Sequence, residues 1–182
     1  MLRHRLFFRT ATLAAIFNLL MCISRDVRAD SLEAQSTLGD ATKARALLVV
    51  KHLRTLYLLH RGKVIARYPV QLGRHPQGPK TKAHDGRTPE GHYIIDWRDP
   101  LSLYTLAFHI SYPNDHDREQ ARALGVDPGG AIEIHGQPFV DGAYSAQQLQ
   151  SDWTAGCIAL SAGDMENLWE KVDVGTPVEI KP

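Results

Sequence analysis

Apolar residues occur in short runs interrupted by glycine, proline and charged residues, a pattern typical of β-strands rather than long helices. The first runs are Ala46–Leu53, Thr55–Leu59 and Lys63–Leu72. The last two are separated by His-Arg-Gly, which indicates a hairpin. Further strands are predicted at His92–Trp97, Leu103–Tyr112, Ala131–Ile134, Cys157–Leu160 and Val178–Ile180.

Three short stretches have helical character. Asp115–Leu124 has acidic residues in its first turn and stops at a glycine, and Ser145–Ser151 begins with a capping serine. Ser161 caps a third helix that runs to Lys171, with Asp164 at the capping-box position. Because helices and strands do not alternate, the sequence predicts one mainly β domain with a largely antiparallel sheet and two or three short helices.

A long segment, Gly73–Gly91, separates the first strands from the rest of the domain. Glycine, proline and charged residues dominate it, so no regular element is predicted there. A loop of this length in a compact domain is either functional or disordered.

The N-terminal residues have the features of a secretory signal. Three arginines and no acid precede the apolar run Thr10–Ile23, and Val-Arg-Ala ends the segment at Ala29. The run is shorter than the roughly 20 residues of a spanning helix, so cleavage is expected and an uncleaved membrane anchor is the alternative. Cys22 follows a lipobox-like triplet whose methionine departs from the small residue that lipidation requires. We therefore expect a signal peptide at residues 1–29, a linker at residues 30–45 and a domain at residues 46–182.

Charge and cysteine content change once the signal is set aside. Without residues 1–29, which hold five arginines and one aspartate, 16 basic residues face 19 acidic ones, a net charge of −3. This excludes the basic field that nucleic-acid binding needs. Cys157 is then the sole cysteine. Exported proteins generally pair their thiols, so an unpaired thiol indicates a functional residue, with a buried inert cysteine as the alternative.

The chemistry that fits this thiol is nucleophilic catalysis. Cys157 and His135 each lie where an apolar run meets a glycine, and neighbouring antiparallel strands would bring thiol and imidazole together as nucleophile and base. The backbone amides of Gly156 and Cys157 are candidates for stabilising an oxyanion. The imidazole also needs an orienting acceptor, either the carboxylate of Glu133 or the carbonyl of Gly136.

These residues carry a family resemblance. His135-Gly136 followed by Thr154-Ala155-Gly156-Cys157-Ile158 resembles the H-G…[S/T]-x-G-C-[V/I] signature of the L,D-transpeptidase (YkuD-type) catalytic domain, and the resemblance covers residues 46–182. It implies a sandwich-like, β-rich fold and an exported cysteine enzyme, without cofactor, that acts on peptidoglycan stem peptides. In such an enzyme Cys157 attacks the L,D bond after a diamino acid and forms a thioester, His135 is the base, and the Gly136 carbonyl orients the imidazole.

The chain departs from many members at two positions near the nucleophile. Ala155 stands where many have histidine, and Ala159 where many have arginine or asparagine. The Asp152-Trp153-Thr154 form is more similar to a proteobacterial, hence periplasmic, subgroup that includes a hydrolase releasing an outer-membrane lipoprotein from peptidoglycan. The acyl acceptor, an amine or water, is therefore left open. A peptidoglycan-binding module without activity is the alternative from another class.

Four further residues are candidates for substrate contact. Arg74 would meet a stem-peptide carboxylate, His109 would line the cleft from a strand end, and Trp153 would wall the site beside Thr154. The alternatives are a solvated charge for Arg74, a solvated histidine for His109 and core packing for Trp153. The remaining histidines have no tight metal-ligand spacing, so no metal site and no zinc peptidase are predicted.

Overall fold

The computed structural model describes residues 43–138 and 151–182. Eight strands form one sheet in these residues. They are β1 (Ala46–Val50), β2 (Thr55–His60), β3 (Lys63–Pro69), β4 (Gly91–Asp99), β5 (Ala107–Ile110), β6 (Glu133–His135), β7 (Ile158–Ala159) and β8 (Pro177–Lys181). Their order across the sheet is β3-β2-β1-β8-β4-β5-β6-β7.

Two α-helices accompany the sheet: α1 (Asp115–Leu124) and α2 (Ala162–Trp169). Asn114 caps α1 through a reciprocal capping box with Asp117, and the Ser161 hydroxyl accepts from the Asp164 amide at the start of α2. The mainly β prediction is therefore confirmed. The third predicted helix, Ser145–Ser151, falls almost wholly outside the described residues.

In the described ranges, no helix has the length and apolar character needed to cross a bilayer.

The sheet is mixed, because two of its seven strand pairings are parallel. β1 pairs with β8 in parallel, and β6 pairs with β7 in parallel, while the other pairs are antiparallel. In each parallel pair, a long stretch of chain separates the two strands in sequence. Local patterns of apolar residues cannot show which strands become neighbours, so the sequence predicted only the dominant antiparallel character.

Several strands, among them β1 and β5, are shorter than predicted. The run Ala46–Leu53 leaves the sheet after Val50 and turns through a short 3-10 helix at Lys51–Leu53, where the buried Lys51 ammonium finds three oxygen partners. The predicted strand Leu103–Tyr112 begins only at Ala107.

The core lies between the sheet and α2. Met165 and Leu168 of α2 are fully buried, and Phe108 of β5 stacks on the Trp169 ring at 5.0 Å between centroids. Ile134 and Ile158, which adjoin the predicted catalytic pair, are also fully buried. Truncating such a side chain to alanine costs about 2–5 kcal/mol, so the strands below the site are firmly anchored.

Candidate active site

His135 and Cys157 meet at the junction of β6 and β7. The register places Ile134 opposite Ile158 and His135 opposite Ala159. Cys157, directly before β7, therefore lies beside Glu133 and diagonal to His135. Because side chains alternate between the two faces of a strand, the thiol and the imidazole share one face. The structure does bring these residues together, but the strands run parallel, and the expected antiparallel pairing is corrected on this point.

The His135 imidazole is held in one tautomer. Its Nδ1 lies 2.7 Å from the carbonyl oxygen of Gly136, and since a carbonyl only accepts, Nδ1 carries the proton and Nε2 keeps its lone pair. The Gly136 carbonyl, rather than the Glu133 carboxylate, therefore orients the ring. Burial lowers the His135 pKa, and the bond to Gly136 offsets this only in part. The resting imidazole is a neutral base.

Two aromatic rings enclose that imidazole. The Tyr104 ring lies over it at 4.2 Å between centroids, tilted by 34°, and Trp153 meets it edge-on at 5.8 Å. Trp153 is half-buried and lines the site. Tyr104 comes from the loop before β5, a stretch that the sequence predicted as strand, and no motif signalled its contact with His135. The two rings form part of the surroundings that bury the imidazole, and this burial lowers its pKa.

The Cys157 thiol is partly exposed and neutral in the resting protein. Its Sγ lies 3.7 Å from the carbonyl oxygen of Ala131, which accepts the S–H proton. Burial raises the Cys157 pKa to about 11; the nearby Glu133 carboxylate adds to this, while the Glu133 backbone amide and the Lys80 charge act in the opposite direction. The site therefore holds a neutral thiol beside a neutral imidazole rather than a preformed ion pair.

Thr154 organises the turn that presents the thiol. Its hydroxyl donates to the carbonyl of Cys157 at 2.8 Å and accepts from the amide of Gly156 at 3.0 Å. Its backbone bonds to Leu72 and Arg74. Thr154 is 3% exposed and lies inside the turn, and its contact with substrate stays a prediction.

Gly156 occupies a position that accepts no side chain. Its φ is +143°, and a Cβ built there would lie 2.6 Å from the carbonyl oxygen of Arg87. Its amide donates to Thr154, so an oxyanion role for Gly156 would require that bond to be exchanged on substrate binding. The oxyanion roles of Gly156 and Cys157 stay predictions.

The long segment Gly73–Gly91 is well ordered and packs against this turn. An isolated bridge joins Gly73 to Thr154, the amide of Arg74 donates to the carbonyl of Thr154, and the Arg87 carbonyl packs against Gly156. Asp85 is its central group, accepting from the Lys80 ammonium at 2.9 Å and from three backbone amides. The packing disagrees with a disordered loop, and a functional role for it stays a prediction.

The other two residues predicted to contact substrate, Arg74 and His109, lie in different parts of the fold. The exposed Arg74 follows Gly73, which bridges to Thr154, so its backbone adjoins the nucleophile turn. His109 lies on β5 opposite Glu133, and its Nδ1 is 2.6 Å from the carboxylate of Asp96.

No group of three or more His, Cys, Asp or Glu side chains suited to a metal ion occurs in residues 43–138 and 151–182.

Comparison with known proteins agrees with this geometry. The model of the L,D-transpeptidase catalytic domain (YkuD) matches residues 44–180. Among solved structures, the helical cell shape determining protein Pgp2 from Campylobacter jejuni is 27% identical with a TM-score of 0.57, covering 75% of this chain and 48% of its own. Bd1075 from Bdellovibrio bacteriovorus is also 27% identical, with a TM-score of 0.52 and coverage of 77% and 49%.

An L,D-transpeptidase variant from Enterococcus faecium is 15% identical with a TM-score of 0.51, covering 76% of this chain and 50% of its own, and shows the same fold. A comparison with curated protein sequences finds no match. The chain spans about half the length of the similar solved structures. Since the family model matches most of the chain, the protein belongs to the family of L,D-transpeptidase (YkuD) catalytic domains.

Proposed function

We propose that this protein is a peptidoglycan L,D-transpeptidase that works through a thioester on Cys157. The observation that carries the proposal is the shared sheet face of Cys157 and His135, with the imidazole Nε2 unprotonated. A peptidoglycan-related function also fits the family to which the chain belongs.

The first half of the reaction follows from this arrangement. The thiol turns from the Ala131 carbonyl toward His135, and Nε2 takes its proton as Sγ attacks the carbonyl carbon of the diamino acid, at the L,D bond that follows it. The new S–C bond forms a tetrahedral oxyanion. When it collapses, the C–N bond breaks and the imidazolium returns its proton to the leaving amine, which leaves a thioester on Cys157 and a neutral His135.

The second half reverses these steps with an incoming acceptor. His135 takes a proton from the acceptor as it attacks the thioester, and the Cys157 thiol leaves with a proton. With an amine as acceptor the product is a cross-link. With water it is a trimmed stem or a released peptidoglycan-attached lipoprotein, and this hydrolysis is the second candidate function. It is favoured by the exposed Ala155, whose methyl group offers no polar atom to hold an acceptor.

The location of this chemistry belongs to the same proposal. A signal at residues 1–29 would direct the protein to the periplasm, where a linker at residues 30–45 would precede the catalytic domain. Pgp2, 27% identical, determines helical cell shape in its own organism. We infer that this chain likewise influences the cell wall, and that its membrane contact is limited to the signal segment if that segment is retained.

Intact-mass spectrometry after exposure to a carbapenem tests the acyl-enzyme. The wild-type protein should gain one adduct, located on Cys157 by peptide mapping, and the matched Cys157→Ser variant should gain none. An unmodified wild-type protein with a confirmed fold would contradict the enzyme proposal and favour an inactive peptidoglycan-binding module. Product analysis on purified sacculi then distinguishes the acceptors: new diamino-acid cross-links indicate transfer, whereas trimmed stems or free lipoprotein indicate hydrolysis.

A further inference from the structure

Glu133 lies next to the nucleophile on the catalytic face of the sheet. In the β5–β6 pair, Glu133 lies opposite His109. In the β6–β7 pair, Ile134 lies opposite Ile158, so the preceding residues, Glu133 and Cys157, lie opposite each other. These three side chains therefore form a row across the sheet, with the carboxylate between the imidazole and the thiol. The carboxylate is close enough to the thiol to act on its charge state.

This carboxylate has no assigned task in the resting site. Glu133 is half-buried, yet in the described part of the chain no hydrogen bond or ion pair reaches its side chain. The neighbouring groups are engaged elsewhere. The Gly136 carbonyl orients His135, Asp96 holds Nδ1 of His109 at 2.6 Å, and Asp85 binds the Lys80 ammonium at 2.9 Å.

We propose that Glu133 is a specificity-determining residue that pairs with an ammonium group of the substrate beside the Cys157 thiol. This inference rests on the proposed function, because it concerns the substrate of the same acyl transfer. The ammonium group belongs either to the diamino residue of the acyl donor or to the acceptor, and both present the same chemistry to a carboxylate. An acceptor ammonium would pass one proton to the carboxylate, and from there to water, before its nitrogen attacks the thioester.

Charge balance supports this assignment. A carboxylate beside the thiol opposes formation of the thiolate, and burial raises the pKa of Glu133 itself, since no cation pairs with it closely. His109 acts to lower that pKa and Asp99 to raise it. An ammonium group bound at Glu133 offsets its negative charge, which favours the charged carboxylate and removes its opposition to the thiolate. Substrate binding would thereby assist activation of the nucleophile.

The test compares Glu133→Gln with the wild-type protein on two matched acyl donors. One stem peptide carries a free side-chain amine, and the other carries the same amine acetylated. With water as acceptor, the wild-type protein should favour the free amine by about ten- to a hundredfold in kcat/KM, the range for hydrogen bonds to charged groups. Glu133→Gln keeps the side-chain volume but not the charge, so its two kcat/KM values should agree within about threefold.

A second arm locates the ammonium group. If it belongs to the acceptor, donor discrimination will be weak in both proteins, and Glu133→Gln will raise the KM of an amine acceptor by about tenfold or more. Glu119→Gln is the matched control, because Glu119 is an exposed residue of α1 whose charge does not act on the pKa of Glu133 or Cys157. It should retain the wild-type preference. Unchanged donor preference and unchanged acceptor KM in Glu133→Gln would overturn the inference.

Carbapenem acylation separates this failure from failure of the proposed function. Its reaction needs the nucleophile but no side-chain ammonium, so both the wild-type protein and Glu133→Gln should form the Cys157 adduct. An adduct in both proteins with no effect in either substrate arm overturns the role of Glu133 alone. An absent adduct in the wild-type protein overturns the acyl-enzyme and with it this inference.

Discussion

The catalytic face and the Gly73–Gly91 loop both hold buried ionisable groups, but the buried carboxylate of the loop is charged and the catalytic pair is neutral. In the loop, burial acts to raise the pKa of Asp85, yet donors from Thr81, Lys80, Arg87 and Lys82 outweigh it and the pKa is lowered. At the catalytic face, the His135 pKa is lowered and that of Cys157 is raised to about 11, so both groups are neutral.

The difference lies in the number of partners rather than in the depth of burial. Asp85 accepts four hydrogen bonds and keeps its charge. The His135 ring has one hydrogen bond, and the Cys157 thiol has a long contact with the Ala131 carbonyl and an interaction with the Glu133 backbone amide. A buried charge with several hydrogen-bond donors stabilises the conformation of a loop. Buried groups with few hydrogen-bond partners stay neutral until a substrate binds. The loop gives the site its shape, and the catalytic pair holds a proton to transfer.

The largest expected effect concerns the nucleophile. Cys157→Ser should lower kcat/KM on muropeptides by at least about a thousandfold, because serine is a far weaker nucleophile beside a neutral imidazole. Stability should barely change, since serine is close to cysteine in size and can keep the polar contacts with the Ala131 carbonyl and the Glu133 backbone amide. Steady-state kinetics and thermal unfolding check both points, and turnover at the wild-type rate would refute the assignment of Cys157.

The next effect concerns the loop charge. Asp85→Asn leaves the buried Lys80 ammonium without its counter-ion and should lower the free energy of unfolding by about 3–5 kcal/mol. Urea unfolding measures this. The control is Asp173→Asn, which removes an exposed carboxylate bound to Lys43 and should cost less than about 1 kcal/mol. Equal losses in the two variants would contradict the account of the loop.

The same carboxylate sets a pH dependence. The pKa of Asp85 is lower in the folded than in the unfolded protein. Asp85 therefore contributes stability at pH values above its unfolded pKa of about 4. This contribution is lost as the pH falls through the folded pKa. The stability difference between wild-type protein and Asp85→Asn should therefore narrow below about pH 4. Urea midpoints measured from pH 7 to pH 2 check this, and a difference that widens in acid would have the wrong sign.

A smaller effect is expected at the turn. Thr154→Ala removes the hydroxyl that bridges Gly156 and Cys157, leaves a buried amide and carbonyl without their partner, and should cost about 1–3 kcal/mol of stability. Activity should fall with it, because the thiol loses its fixed position. Thr154→Ser keeps the hydroxyl and serves as control in both assays. Serine and alanine variants with the same activity would show that the bridge does not position the thiol.

The smallest effect is a shift in a pH profile. Tyr104→Ala uncovers the His135 ring, so the lowered pKa of His135 should rise toward its ordinary value. The acid limb of kcat/KM should then move to higher pH, because the protonated imidazole cannot act as base. Tyr104→Phe keeps the ring and should keep the wild-type limb. An acid limb unmoved in Tyr104→Ala would exclude Tyr104 as a positioning residue for His135.

The sequence was informative wherever a local pattern carried the information. Helix α1 begins and ends at the predicted residues, Asp115 and Leu124, because its caps are encoded next to it. The Gly-Cys pair and the His-Gly pair made Cys157 and His135 candidates in the same way, and their catalytic roles stay predictions. These predictions depended on neighbours in sequence.

The sequence was less informative where partners are distant along the chain. The parallel pairing of β6 with β7, the contact of Tyr104 with His135 and the oxygen partners of the buried Lys51 all join segments that are distant along the chain. A lysine in a polar loop resembles any solvated lysine until its acceptors are known. Long-range contacts of this kind determine the charge state of the site, which composition and spacing do not encode.

The rate at which Cys157 is alkylated measures directly whether its thiol is neutral in the resting protein. The reaction with iodoacetamide, followed at Cys157 by peptide mass spectrometry from pH 6 to pH 10, should keep rising with pH without a plateau, as expected for a pKa of about 11. N-acetylcysteine, whose thiol titrates nearer the ordinary value of about 8.5, should level off earlier. A Cys157 rate that is already constant by pH 7 would show a preformed thiolate and contradict the account.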